Sequence, residues 1–97
     1  MSRMAAQQEA TILVGKKPTT NYVIATVMQF NQGSKRVILK ARGSAIARAV
    51  AAATMVRDRF LAGQVDIKEV KLLSDKITGQ GGKERVVAAV EIVIERK

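Results

Sequence analysis

The sequence predicts a single-domain α/β protein. Its elements run β-α-β-α-β-β, a two-layer sandwich with a mixed four-stranded sheet and both helices on one face. Three observations lead there. A short apolar run at residues 10–14 is followed by helically spaced apolar residues and then by a second apolar run with basic ends at residues 35–40. An alanine-rich helical segment comes next, and the C-terminal third alternates apolar and polar residues with period two. Strand, helix, strand is a βαβ unit, so the first two strands are expected to be parallel, with their following loops at one edge of the sheet.

Residues 1–9 are polar or small and lack a period. They are expected to form a disordered tail before a domain at 10–97, with Arg3 adding loose electrostatic attraction. They contain no apolar block, so no secretory signal is expected. Residues 10–14 suit a strand buried on both faces. Pro18 suits the first turn of the helix at 19–31, where its missing N–H costs nothing. In that helix Val23, Val27 and Phe30, with Ile24 and Met28 alongside, form the apolar stripe, and Gly33 supplies a left-handed cap. Ser44 is the expected N-cap of a second helix at 44–60. On its wheel Ile46, Ala49, Val50, Ala53, Val56 and Phe60 share a face, with Arg48, Met55 and Arg59 roughly opposite. Gly63 marks its stop.

A third strand begins at Val65, and a slip of phase near Lys68-Glu69 suggests a bulge. Residues 86–94 form the clearest strand, with Val86, Ala88, Val90, Ile92 and Ile94 on one face and Glu91 and Glu95 on the other. Between them residues 74–85 carry three glycines and the basic Lys76, Lys83 and Arg85. This is either an ordinary mobile loop or an arm that reaches into a groove. Its length on so small a domain favours the arm.

Charge is the informative bulk property. Lys+Arg is 17 against 8 Asp+Glu, a net charge of +9 on 97 residues. Between Glu9 and Asp58 there is no acidic residue, while Lys16, Lys17, Lys35, Arg36, Lys40, Arg42, Arg48 and Arg57 all lie there. A fold that gathers these basics presents a strong positive field, suited to a polyanion. In the predicted fold Gly15-Lys16-Lys17-Pro18 and Ala41-Arg42-Gly43-Ser44 are neighbouring strand-to-helix turns, each at a helix N-terminus that favours anions. Tyr22, one turn into the first helix, is either a core-edge residue with its hydroxyl at the rim or a contact to a phosphate or base.

Catalysis is not expected. The chain has no His and no Cys, which removes the commonest general base, the thiol nucleophile and the usual zinc ligands. No carboxylate pair suggests a dyad or a Mg²⁺ site. Gly79-Gln80-Gly81-Gly82-Lys83-Glu84 superficially resembles a phosphate-binding loop, but Ile77 stands where that loop needs Gly and Glu84 where it needs Ser or Thr. No cofactor, metal or small-molecule substrate is expected. No apolar run approaches the ~18–20 residues of a membrane span.

Val14-Gly15-Lys16-Lys17-Pro18, then Asn21-Tyr22-Val23, Asn31-Gln32-Gly33, Ile38-Leu39-Lys40-Ala41-Arg42-Gly43-Ser44-Ala45-Ile46 and Val56-Arg57-Asp58-Arg59-Phe60, resemble the Alba family of small basic archaeal chromatin proteins. The resemblance covers nearly all of the chain from residue 10. It implies a fold like the C-terminal domain of a bacterial translation initiation factor, and a homodimer. The two lysine turns would centre a DNA-facing surface, and the hairpins would lie as arms along the minor groove. It assigns Lys16 and Lys17 to backbone phosphates with Arg42 and Arg48 flanking them, and Lys83 and Arg85 to the hairpin; with Asn21, Tyr22, Gly43, Ser44 and Lys76 these make up the candidate nucleic-acid-binding set. It assigns Arg59 and Phe60 to a contact between dimers on DNA. It marks Lys16 and Lys17 as acetylation sites, where loss of a charge lowers affinity. Many relatives carry a second arginine where this chain has Ser44. Read without the resemblance, Phe60 falls on the buried face of the wheel and is a core residue.

The expected function is sequence-independent binding of double-stranded DNA by an architectural, chromosome-associated cytoplasmic protein that coats and compacts it. The first alternative is a mainly RNA-binding role, as in ribonuclease P and MRP subunits. The second is a basic interaction module for an acidic protein.

Overall fold

The computed structural model describes residues 9–97. The expected tail at 1–9 therefore lies outside the described residues, except Glu9, which belongs to the first strand. The order is β1 (Glu9–Leu13), α1 (Thr19–Asn31), β2 (Arg36–Arg42), a 3₁₀ turn (Gly43–Ala45), α2 (Ile46–Met55), a π-helical turn (Val56–Phe60), β3 (Val65–Thr78), a second 3₁₀ turn (Gln80–Gly82) and β4 (Glu84–Arg96). The sheet order is β1-β2-β4-β3, with β1 and β2 parallel and the other pairs antiparallel. Both helices cover one face, as the βαβ pattern predicts.

The core forms where the two layers meet. Val37, Leu39 and Ala41 of β2 and Val90, Ile92 and Ile94 of β4 point into it, and Val23, Phe30, Ala49, Ala52, Ala53 and Val56 close it from the helices. Alanine at three of these helix positions lets α2 lie close to the sheet. Replacing the fully buried Phe30 by Ala would cost about 3–5 kcal/mol. Arg96 completes this region: its guanidinium donates to the Phe30 carbonyl at 2.6 Å and lies 5.6 Å from the Phe30 ring centre.

Several expectations change. β1 alternates in burial instead of being buried on both faces, and Leu13 is 75 % exposed. The cause is topological: β1 is an edge strand, and the far face of the sheet has no covering layer. In α1, Ile24 and Met28 are exposed, and Tyr22 and Thr26 take the inner positions. Thr26 is admitted because its hydroxyl donates to the Tyr22 carbonyl at 2.7 Å, leaving no unpaired buried group. Pro18 sits one place before the first turn, at the N-cap. Ser44 does not cap α2; it lies inside the 3₁₀ turn, and neither that turn nor α2 has a side-chain cap.

The core reading of Phe60 is corrected: the ring is 54 % exposed. A wheel with 3.6 residues per turn assumes an unbroken α-helix. The π-helical turn Val56–Phe60 winds more loosely, rotates Phe60 outward, and leaves Leu61 to fill the interior.

The bulge is where the phase slip put it, between Ile67 and Glu69. The predicted flexible segment at 74–85 is mostly strand. β3 and β4 pair continuously to Thr78↔Glu84, and only a short turn with Gly81 and Gly82 at positive φ remains. The last residue of β2, Arg42, pairs with Ala89, so the hairpin continues past the end of the sheet by roughly 17 Å at the usual rise per residue. Val86, expected on the core face, is exposed because it lies on this projecting part.

Candidate nucleic-acid interface

The parallel pairing of β1 and β2 brings two turns together. Leu13 is in register with Lys40, and the Val14 N–H continues the ladder by donating to the Lys40 carbonyl at 2.8 Å. The turn carrying Lys16 and Lys17 therefore lies beside the one carrying Arg42, Gly43 and Ser44. Lys16, Lys17, Asn21, Arg42 and Ser44 are all exposed. The hairpin leaves the sheet at this same end, and Lys76, Lys83 and Arg85 are exposed along it. The register puts Lys76 and Arg85 on opposite faces of the ribbon, with Lys83 in the tip. One end of the molecule thus gathers the basic residues of both turns and the arm.

Two members of the expected set have other duties. The Tyr22 hydroxyl accepts from the Gly15 N–H at 2.8 Å and from the Lys17 N–H at 3.2 Å. The ring is 8 % exposed. Tyr22 thus holds the lysine turn from the core edge, and its buried ring offers no face for stacking, while its own O–H is left as a donor at the rim. The Gly15 and Lys17 amides, satisfied by this hydroxyl, do not point at a ligand. Arg48 is half-buried and donates through Nη1 to the Gly15 carbonyl, so α2 is tied to the β1–α1 turn. Tyr22 and Arg48 together fix the backbone from which Lys16 and Lys17 project.

Gly43 has φ +54°, and a Cβ there would lie 3.5 Å from a Val87 methyl. The second turn thus rests on the root of the hairpin. A second link, which sequence reasoning missed, joins the same elements: the Arg42 guanidinium lies 3.8 Å from the Asp75 carboxylate of β3. Lys40 and Glu91 form the next pair along, at 3.7 Å. Only the pairing register reveals these neighbours, because Arg42 and Asp75 are remote in sequence.

The other end of the molecule holds Arg59 and Phe60. Arg57 there donates to Asp58 at 2.7 Å, and this hydrogen bond holds the Asp58 carboxyl below its ordinary pKa. Arg59 and Phe60 remain exposed. The edge strand β3 and the root of the hairpin leave a third exposed feature. Leu72 pairs with Val90 and Val70 with Ile92, so both sit on the helix-side face, yet they are 84 % and 52 % exposed, with Val86 at 67 %.

Comparison with known proteins gives a consistent result. The Alba family profile matches residues 10–74, more than half of the chain. A protein of Pyrobaculum calidifontis, named DNA/RNA-binding protein Alba, is 76 % identical over 87 residues, covering 90 % of this chain and 95 % of the relative. A protein of the same name from Nanoarchaeum equitans is 49 % identical, covering 89 % and 97 %. Among solved structures, Alba from Thermoplasma volcanium superposes with a TM-score of 0.82 at 40 % identity, covering 89 % of this chain and 99 % of that one.

Proposed function

The chain belongs to the Alba family, and from that premise we propose that it is a sequence-independent nucleic-acid-binding protein, not an enzyme. Its main ligand is double-stranded DNA, which it coats and compacts as an architectural, chromosome-associated protein of the cytoplasm. The observation that carries this reading is the convergence of Lys16, Lys17 and Arg42 with a projecting basic hairpin at one end of the sheet. These groups suit phosphates, not base edges. Asn21 and Ser44 add short polar contacts, Gly43 allows close approach, and Lys76, Lys83 and Arg85 line an arm of a size to follow the minor groove.

The bound unit is a homodimer. Its support is the uncovered apolar face of Val70, Leu72 and Val86, beside the basic end. A two-fold pairing there joins two lysine turns into one surface. Arg59 and exposed Phe60, at the opposite end of α2, serve the contact between neighbouring dimers. Acetylation of Lys16 or Lys17 weakens binding by removing a charge.

RNA is a second ligand of the same face, a reading favoured by the names of the relatives. Duplexes are preferred over single strands. Tyr22 and Phe30 are buried, and Phe60 lies at the far end of α2, so the basic end carries no stacking platform. Competition between duplex DNA, duplex RNA and single-stranded RNA at matched salt tests this order. Equal or tighter binding of single strands would overturn it. Loss of DNA binding in Lys16→Ala/Lys17→Ala with the fold intact would exclude a module that serves only an acidic protein.

A further inference from the structure

We propose that Asp75 is an internal competitor for the nucleic-acid phosphate at Arg42, and that it limits the affinity of the basic end. This rests on the nucleic-acid reading above and goes beyond it. Among the described residues, Arg42–Asp75 is the only ion pair that involves a member of the candidate binding set. Asp75 sits on the open face of the sheet, paired with Val87 just beyond the Arg42↔Ala89 rung, where the hairpin leaves the sheet.

A carboxylate and a phosphate offer a guanidinium similar oxygen acceptors, so they compete for the same N–H groups. The pair is weak enough for a phosphate to displace it. Its oxygen and nitrogen are 3.8 Å apart, and the side chains of Arg42 and Asp75 are 61 % and 42 % exposed. Exposed pairs of this kind are weak. When a phosphate takes Arg42, the freed carboxylate must attract a cation from solution. That uptake offsets part of the counterion release that drives binding. The same step unties the root of the hairpin from the β2–α2 turn.

The test is anisotropy of a labelled DNA duplex across a salt series with wild type, Asp75→Asn, Arg42→Ala, the double variant and Asp66→Asn. Asp66→Asn removes the same charge at the far end of the sheet, where Asp66 faces Lys97. Asp75→Asn should tighten binding by about two- to fivefold per chain at low salt, the range of a weak surface pair. Its salt slope should steepen by up to roughly 0.9 per chain. Asp66→Asn should gain less, and the gain of Asp75→Asn should vanish when Arg42 is already Ala. Equal gains from Asp75→Asn and Asp66→Asn, or a gain that survives without Arg42, would overturn the proposal. Failure of the wild type to bind at low salt would overturn the underlying reading, and the proposal with it.

Discussion

The role assigned to Tyr22 can be tested by removing one atom. Tyr22→Phe keeps the ring, which is buried against the core, and deletes only the hydroxyl. The Gly15 and Lys17 amides then lose their acceptor. A hydrogen bond of this type contributes about 0.5–1.5 kcal/mol. The Gly15 bond is the shorter and better shielded, whereas the Lys17 amide of an exposed residue regains water. The expected loss is therefore about 1–2 kcal/mol. For a domain of this size that is a fall of roughly 5–15 °C in Tm, measured at one fixed protein concentration. Affinity should fall as well, by about three- to tenfold well below Tm, because a loosened lysine turn must be ordered again on binding. Circular-dichroism melting and anisotropy on one DNA duplex give both numbers. An unchanged Tm with unchanged affinity would refute the idea that this hydroxyl holds the turn. An unchanged Tm with a large loss of affinity would instead make Tyr22 a direct contact.

Other outcomes follow from the exposed faces. Leu72→Glu puts a charge on the proposed dimer face and should convert the dimer to monomer in sedimentation. A dimer that persists would move the interface elsewhere. Phe60→Ala should change Tm by only a few degrees, since surface substitutions stay within ~0.5 kcal/mol, yet should abolish cooperative binding. A loss of ~3 kcal/mol, the cost of emptying a core site, would restore the core reading. Gly43→Ala should destabilise, because φ +54° strains any residue with a Cβ. Equal or greater stability would refute that account.

Much of this architecture is legible in the sequence because the cues are local. Apolar runs and their spacing place β1, α1 and β2 to within two residues, and likewise the start of α2, whose expected end at 60 runs five residues past Met55 through the π-helical turn; the slip at Lys68 marks the bulge. The neighbouring basic turns follow from one topological rule, that a βαβ unit returns to the same sheet edge. What could not be read depends on geometry that spacing does not encode. The π-helical turn at Val56–Phe60 changes the rotation per residue and moves Phe60 from inside to outside. Glycines at 79, 81 and 82 read either as a mobile loop or as the tip of an arm, and only the pairing to Thr78↔Glu84 shows how far the strands run. The bonds from Tyr22 and Arg48 to the Gly15–Lys17 turn, and the Arg42–Asp75 pair, join remote positions. A lone tyrosine one turn after a glycine–lysine loop was the one available hint of the first.

Salt tests most directly whether the basic end holds nucleic acid through phosphates. With about six phosphates neutralised per dimer, log K for duplex DNA should fall against log salt with a slope on the order of −5. Lys16→Ala/Lys17→Ala should make that slope shallower by roughly 0.9 for each phosphate that is no longer neutralised. A binding curve that does not move with salt, or a slope indifferent to the lysines, would contradict the account.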